Sequence, residues 1–275
     1  MLSSSTIIIE PGSGFHNYWR DLWRYRELFY MMAWRDVLLR YKRMTIGFAW
    51  ALLKPFLTML IFTLVFGKLA KLPSDGVPYP ILVFSALLPW QFFATAFSDA
   101  GGSLINKESI ITKIYFPRLV IPVSAVMVSF VDFLSASTIL CGMMTWYGVI
   151  PDWRILFLPL FILILFAVSL GAGLWISALS AKYKDFRYVI PFIVQIGLYV
   201  SPVGFDSSLV PETWRTLYAI NPMVGIIQGF RWSILGKTTA GFEVSVIIAA
   251  GMALLLMFSG VAYFRRMELS LAEIL

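Results

Sequence analysis

Long apolar runs with almost no charge recur along this chain, separated by short segments rich in Lys and Arg. About 20 mostly apolar residues are enough to cross the hydrocarbon core of a bilayer as a helix. Runs at 46–70, 80–99, 119–147, 155–181, 188–205 and 243–264 meet that condition and predict six spans. The third and fourth are long enough to tilt or project. The fifth is short and carries Pro191 and Pro202. Residues 206–242 are too apolar for a plain loop: Leu209-Val210-Pro211 precedes an apolar run from Trp214 to Ile220, then Asn221-Pro222 and a second run to Leu235. This pattern predicts short re-entrant helices, because irregular backbone is tolerated at membrane depth only where protein or a cavity covers it.

Residues 15–43 follow another period. Phe15, Tyr18, Trp19, Leu22, Arg26, Phe29 and Met32 recur at helical spacing, while Arg20, Arg24, Glu27 and Arg35 occupy other positions around the helix. An amphipathic helix lying in the membrane interface is expected here, with a helix packed on a soluble partner as the alternative. Residues 1–14 lack the apolar core of a cleaved signal peptide.

Charge gives the spans a direction. With the N-terminus in the cytoplasm, 16 of the 22 Lys and Arg fall on the cytoplasmic side. The other side keeps Lys68, Lys71, Arg154, Arg215, Arg231 and Lys237. Such an excess is the usual sign of the inner face, so both ends are expected in the cytoplasm. It also accounts for the net charge of +7 without a nucleic-acid partner. At 59% hydrophobic and 13% charged residues, the composition requires a bilayer as part of the solvent. The fold expected is a single all-α membrane domain over 1–275.

Little points to covalent chemistry. Cys141 and His16 are the single cysteine and histidine, which leaves almost nothing for a disulfide framework, a zinc site or a His-based triad. Gly236-Lys237-Thr238 ends like a phosphate-binding loop, but Arg231 stands where that loop needs its first glycine. Asp132 is the clear mid-span ionisable residue. It can bind a proton, or fix packing through a neighbouring hydroxyl of Ser129, Ser135 or Ser137.

Four ordered stretches resemble the ABC-2 permeases that export bacterial cell-surface polysaccharides, the O-antigen group in particular. They are Arg40-Tyr41-Lys42-Arg43 with Gly47, Trp50 and Pro55; Lys113 to Arg118 with Pro122; Tyr183 to Tyr188 with Pro191, Gln195 and Ser201-Pro202; and Asn221-Pro222-Met223 with Phe230-Arg231-Trp232 and Leu235-Gly236. Phe205 stands where such permeases often have a tyrosine.

The resemblance implies a permease subunit that is not itself an enzyme, in the bacterial inner membrane. It implies the ABC-2, or type V exporter, fold with an interface helix before span one. A second copy and two copies of a cytoplasmic ABC ATPase would be its partners, with ATP and Mg held by the ATPase and no cofactor or metal on this chain. The cargo would be a lipid-linked O-antigen. Capsule polysaccharide or teichoic acid export, and a gradient-driven carrier, are the alternatives.

Four sets of site residues are expected. ATPase coupling falls to Asn106, Lys107, Glu108, Lys113, Tyr115, Phe116 and Arg118 after span two, with Lys184 and Asp185 as a second contact. A short helix ended by Pro117 suits a groove on a partner. The glycan path would use aromatic platforms: Trp90, Phe93 and Phe97 on one helix face, Phe192, Gln195 and Tyr199 on another, and Phe62 and Phe66. Ordinary helix packing is the alternative for each. Arg20, Arg24, Arg40 and Arg43 are candidates to draw in a lipid pyrophosphate. Asn221, Pro222 and Trp232 are candidates for an outer gate.

Overall fold

The computed structural model describes residues 26–42, 47–74, 76–111, 116–239 and 241–274. Every regular element among them is helical. In chain order these are α1 (Arg26–Lys42), α2 (Gly47–Phe62), α3 (Tyr79–Asn106), α4 (Glu108–Ile111) and α5 (Val120–Trp146). Then come α6 (Leu158–Lys182), α7 (Phe186–Val200), α8 (Glu212–Ala219), α9 (Pro222–Leu235) and α10 (Phe242–Ile274). A π-helical segment, Thr63–Leu69, prolongs α2, and a 3-10 turn, Trp153–Phe157, leads into α6. Five helical stretches are long and apolar enough to span a membrane. The chain is an all-α, multi-pass membrane protein. The sixth apolar helix, α7, has 15 residues. At 1.5 Å per residue it rises about 22 Å, short of the ~30 Å hydrocarbon core, and it stops before Pro202.

The central helix is α3, with 72% of its most apolar window buried against 11% for α2. It packs on α5, α6, α7 and α9, and α6 in turn packs along α10. Lipid tails remove most of the hydrophobic drive between spans, so close backbone approach at small residues takes its place. A Cβ added to Gly171 of α6 would lie 2.5 Å from the Leu256 carbonyl carbon of α10. One added to Gly260 would lie 2.6 Å from the Gly171 carbonyl oxygen. Beside this crossing Trp175 stacks on Tyr263 at 4.1 Å and donates its indole N–H to Ser259 Oγ at 3.0 Å.

The segment between α7 and α10 is ordered by its own local chemistry. Asn221 Oδ1 accepts from the Met223 amide at 3.0 Å and caps α9, with Pro222 in its first turn. Gly236, at φ 68°, ends α9 in the left-handed conformation that glycine adopts at least cost.

The docked face of α1 mixes apolar and polar residues. Phe29 and Met32 do turn inward, but so do Asp36, Arg40 and Tyr41. Large apolar residues point out instead: Tyr30, Met31, Trp34, Leu38 and Leu39 are all exposed. The helix therefore buries a partly polar face against the bundle and presents an apolar one to its surroundings. Residues 15–25 and 43, which belong to the expected interface helix, lie outside the described residues.

Candidate functional site

The polar residues of α1 meet two spans. Arg40 Nη2 donates to Asp99 Oδ2 of α3 at 2.6 Å, and Nη1 donates to Asp132 Oδ2 of α5 at 2.8 Å. The Tyr41 hydroxyl donates to the other oxygen of Asp132. Ser129 Oγ adds a bond to Asp99 at 3.1 Å. One turn earlier on α1, Asp36 accepts from Lys107 Nζ, just after the end of α3, and Lys107 also reaches Ser124 Oγ at 3.4 Å. These pairs hold α1, α3 and α5 together where the connection between the two spans begins.

The surroundings favour a charged Arg40 and a neutral, protonated Tyr41 on α1. Burial alone would lower the Arg40 pKa, but the nearby Asp99 and Asp132 carboxylates outweigh it and raise it. Burial, with the Asp132 carboxylate adding to it, pushes the Tyr41 phenol well above its ordinary value, so it remains a donor. Arg40 faces two carboxylates, those of Asp99 and Asp132. Its guanidinium, expected as a phosphate ligand, is here shared between two acids. Arg20, Arg24 and Arg43 lie outside the described residues.

Asp132 finds its partners on another helix. Ser135 and Ser137 instead bond carbonyls of their own helix, at Val131 and Phe133, at 2.9 and 2.8 Å. In place of the neighbouring serines, Asp132 bonds the hydroxyl of Tyr41 and the guanidinium of Arg40 on α1.

The connection after α3 splits in two. Asn106 and Glu108 are exposed, while Lys107 is held by Asp36. Phe116 is buried in the core, and the Arg118 amide donates to Glu268 Oε1 of α10 at 2.8 Å. Phe116 thus packs into the bundle, while the half-buried Arg118 is tied to α10. Lys113 and Tyr115 lie outside the described residues. Lys184 and Asp185 are exposed between α6 and α7.

The two aromatic faces have different fates. Trp90 and Phe97 of α3 are buried, and with Phe93 they form the seam with α7. A Cβ added to Gly197 of α7 would come 2.5 Å from the Trp90 ring. Packing against α7 accounts for that stripe among the described residues. On α7, Phe192, Gln195 and Tyr199 all face outward. Phe62 and Phe66 pack on each other, and Phe66 also rests on Gly204.

At the opposite end, residues 201–206 form a turn that is tied on several sides. Arg231 of α9 is 3% exposed and donates to the carbonyls of Phe205 at 3.0 Å, Val203 at 3.2 Å and Leu82 at 3.3 Å. The Tyr79 hydroxyl donates to the Gly204 carbonyl, and Asn221 Nδ2 to Ser201 Oγ at 3.1 Å. Trp232 sits among Trp153, Phe157, Phe161 and Phe242, with Arg154 5.8 Å over its ring. Sequence reasoning gave Asp36, Tyr41, Asp99, Tyr79 and Arg231 no site role. The i, i+4 spacing of Asp36 and Arg40, and an arginine inside the apolar run of α9, were the available signals.

Residues 27–235 match the ABC-2 type transporter family. The chain is 26% identical over 215 residues to the O-antigen export system permease protein RfbA of Myxococcus xanthus, covering 77% of this chain and 82% of that protein. It is 25% identical over 253 residues to the RfbA permease of Klebsiella pneumoniae, covering 90% and 95%. The polysialic acid transport protein KpsM of Escherichia coli is 23% identical over 242 residues, covering 85% and 91%.

Proposed function

Because the chain belongs to the ABC-2 type transporter family, we propose that it is the membrane subunit of an ATP-driven exporter of cell-surface polysaccharide. The observation that carries this reading is its near full-length similarity to O-antigen export permeases. The similarity to KpsM supports the same class of cargo and keeps a capsule polysaccharide as the second reading. The cargo is a lipid-linked glycan made at the cytoplasmic face of the inner membrane. ATP is hydrolysed by a separate cytoplasmic ATPase, two copies of which pair with two copies of this chain.

The basic end faces that ATPase. Asn106 and Glu108, with Lys113 and Tyr115, form the main contact, and Lys184 and Asp185 a second. Movement of this contact reaches the bundle through Lys107, which is bonded to Asp36 of α1. Four residues on, Arg40 and Tyr41 hold Asp99 and Asp132 in two spans. The clamp makes α1, α3 and α5 move as one body. The glycan passes along the outward face of α7, where Phe192 and Tyr199 stack on sugar C–H faces and Gln195 bonds hydroxyls. The second copy closes the other side. The turn at 201–206, tied by Arg231, Tyr79 and Asn221, holds the outer end shut.

Deleting the gene is expected to remove the glycan from the cell surface and to accumulate its lipid-linked form inside. Unchanged surface glycan would overturn the cargo assignment. Two further results are expected from the coupling contact and the path. Asp36→Lys and Lys107→Asp each lower export several-fold, and exchanging both charges together restores most of it, as read by surface-glycan staining at equal protein level. Gln195→Leu with Tyr199→Ala lowers export while leaving basal ATPase activity intact. Normal export by that double variant would remove α7 from the path.

A further inference from the structure

Between α8, α9 and the start of α10 lies a cavity of about 120 Å³. Ser207, Tyr218 and Gln228 line it, together with the aliphatic side chains of Ala219, Val224 and Val244. Three of its polar atoms, Ser207 Oγ, the Tyr218 hydroxyl and Gln228 Oε1, are buried and have no hydrogen-bond partner among the described residues. Ser207 and Gln228 are only 6% and 5% exposed. Buried polar groups are nearly always paired, so three orphans around one void call for a missing partner.

The chemistry of that partner follows from the lining. All three orphan groups are uncharged. The neighbouring cations are already engaged: Arg215 donates to the Val210 carbonyl at 3.1 Å and to Glu212 at 3.3 Å, and Arg231 donates to backbone carbonyls. An anion would find no unpaired positive group among them. Neutral donors and acceptors beside an aliphatic wall suit a pyranose ring, which has hydroxyls at its edge and C–H groups on its face. The void is only partly enclosed, so it admits water when empty and can take one edge of a ring whose other side stays outside. Its cover is thin, since α8 fully buries only Ala219 and leaves Trp214 and Leu217 exposed.

We propose that this cavity binds one neutral sugar unit of the exported glycan through Ser207, Tyr218 and Gln228, behind the outer gate. The site rests on the glycan-export reading and gives it a second sugar contact, apart from α7. Water is the competing occupant, and the test separates the two.

The test uses the full chain with its ATPase in nanodiscs, with Cys141→Ser removing the single cysteine and Thr216→Cys placing a thiol on the cavity wall. A charged, membrane-impermeant thiol reagent is added with glucose, galactose, mannose, rhamnose or N-acetylglucosamine in turn, and with sorbitol as the osmotic control. Labelling is expected to slow with at least one sugar and not with sorbitol, by about threefold when the sugar is at twice its Kd, following 1 + [L]/Kd. Gln228→Leu is expected to abolish the protection, and the milder Tyr218→Phe to weaken it. Both variants are checked for ATPase co-purification, so that misfolding is not mistaken for lost binding. Rates unchanged by every sugar, protection that survives Gln228→Leu, or a thiol that never reacts would each overturn the site. Loss of surface glycan on gene deletion is read separately, so failure here leaves the export reading standing.

Discussion

Arg40→Met is expected to abolish export and to lower the yield of folded protein. The substitution leaves Asp99 and Asp132 facing each other across α3 and α5 without a cation. Breaking a buried ion pair from one side costs about 3–5 kcal/mol. Arg40, Asp99 and Asp132 keep 32%, 35% and 21% of their side chains exposed, so solvent screening places the cost at or below the low end, about 2–3 kcal/mol. A cost of that size lowers the folded fraction of a marginal membrane protein visibly. The triple variant Arg40→Met, Asp99→Asn, Asp132→Asn separates stability from coupling. With no charge left unpaired, its yield is expected to recover. Its export is expected to stay low, because α1 no longer grips the spans. Yield is read by detergent-extracted, monodisperse protein, and export by surface glycan at matched expression. Recovery of export in the triple variant would reduce the clamp to a folding device.

Gly171→Leu is expected to have the other large effect, this one on assembly alone. The added side chain would start 2.5 Å from the backbone of Leu256, which cannot yield as a side-chain tip can. Overpacking costs about 1–3 kcal/mol where neighbours can shift. Here two helix backbones must separate along a crossing that also holds the Trp175–Tyr263 stack, so the upper end or more is expected. Gly171→Ala is the graded control, with a smaller loss. Gly142→Ala is the neutral control, because a Cβ there meets nothing within 4 Å. Thermal aggregation midpoints of the purified variants check the order. A Gly171→Leu chain as stable as the parent would mean that α6 and α10 are not held by this contact.

The helical membrane architecture was legible because it depends on local pattern. Apolar runs of the right length mark α3, α5, α6 and α10, and Asn221-Pro222 marks the start of α9. The site was less legible because it depends on pairing between distant segments. Asp132 could be seen as an uncompensated charge, but nothing local pointed 91 positions back to Tyr41. For α1, helical spacing does not say which side docks on the bundle, because a helix at a membrane edge can face apolar groups toward lipid. The aromatic series in α3 and α7 have the same spacing and opposite exposure. That difference is set by Gly197, which lets Trp90 approach closely and has no side chain to signal it. Arg231 stood out as an arginine in an apolar helix, but its three carbonyl partners lie in other elements.

The most direct test of the central claim is translocation in inverted membrane vesicles carrying the chain, its partner ATPase and the lipid-linked glycan. ATP is added, and the fraction of glycan protected from an external glycosidase is followed over time. The account predicts that protection grows with ATP, stays at background without this chain or with an ATPase unable to hydrolyse ATP, and persists when the proton gradient is collapsed. Protection that needs the gradient and not the ATPase would contradict it.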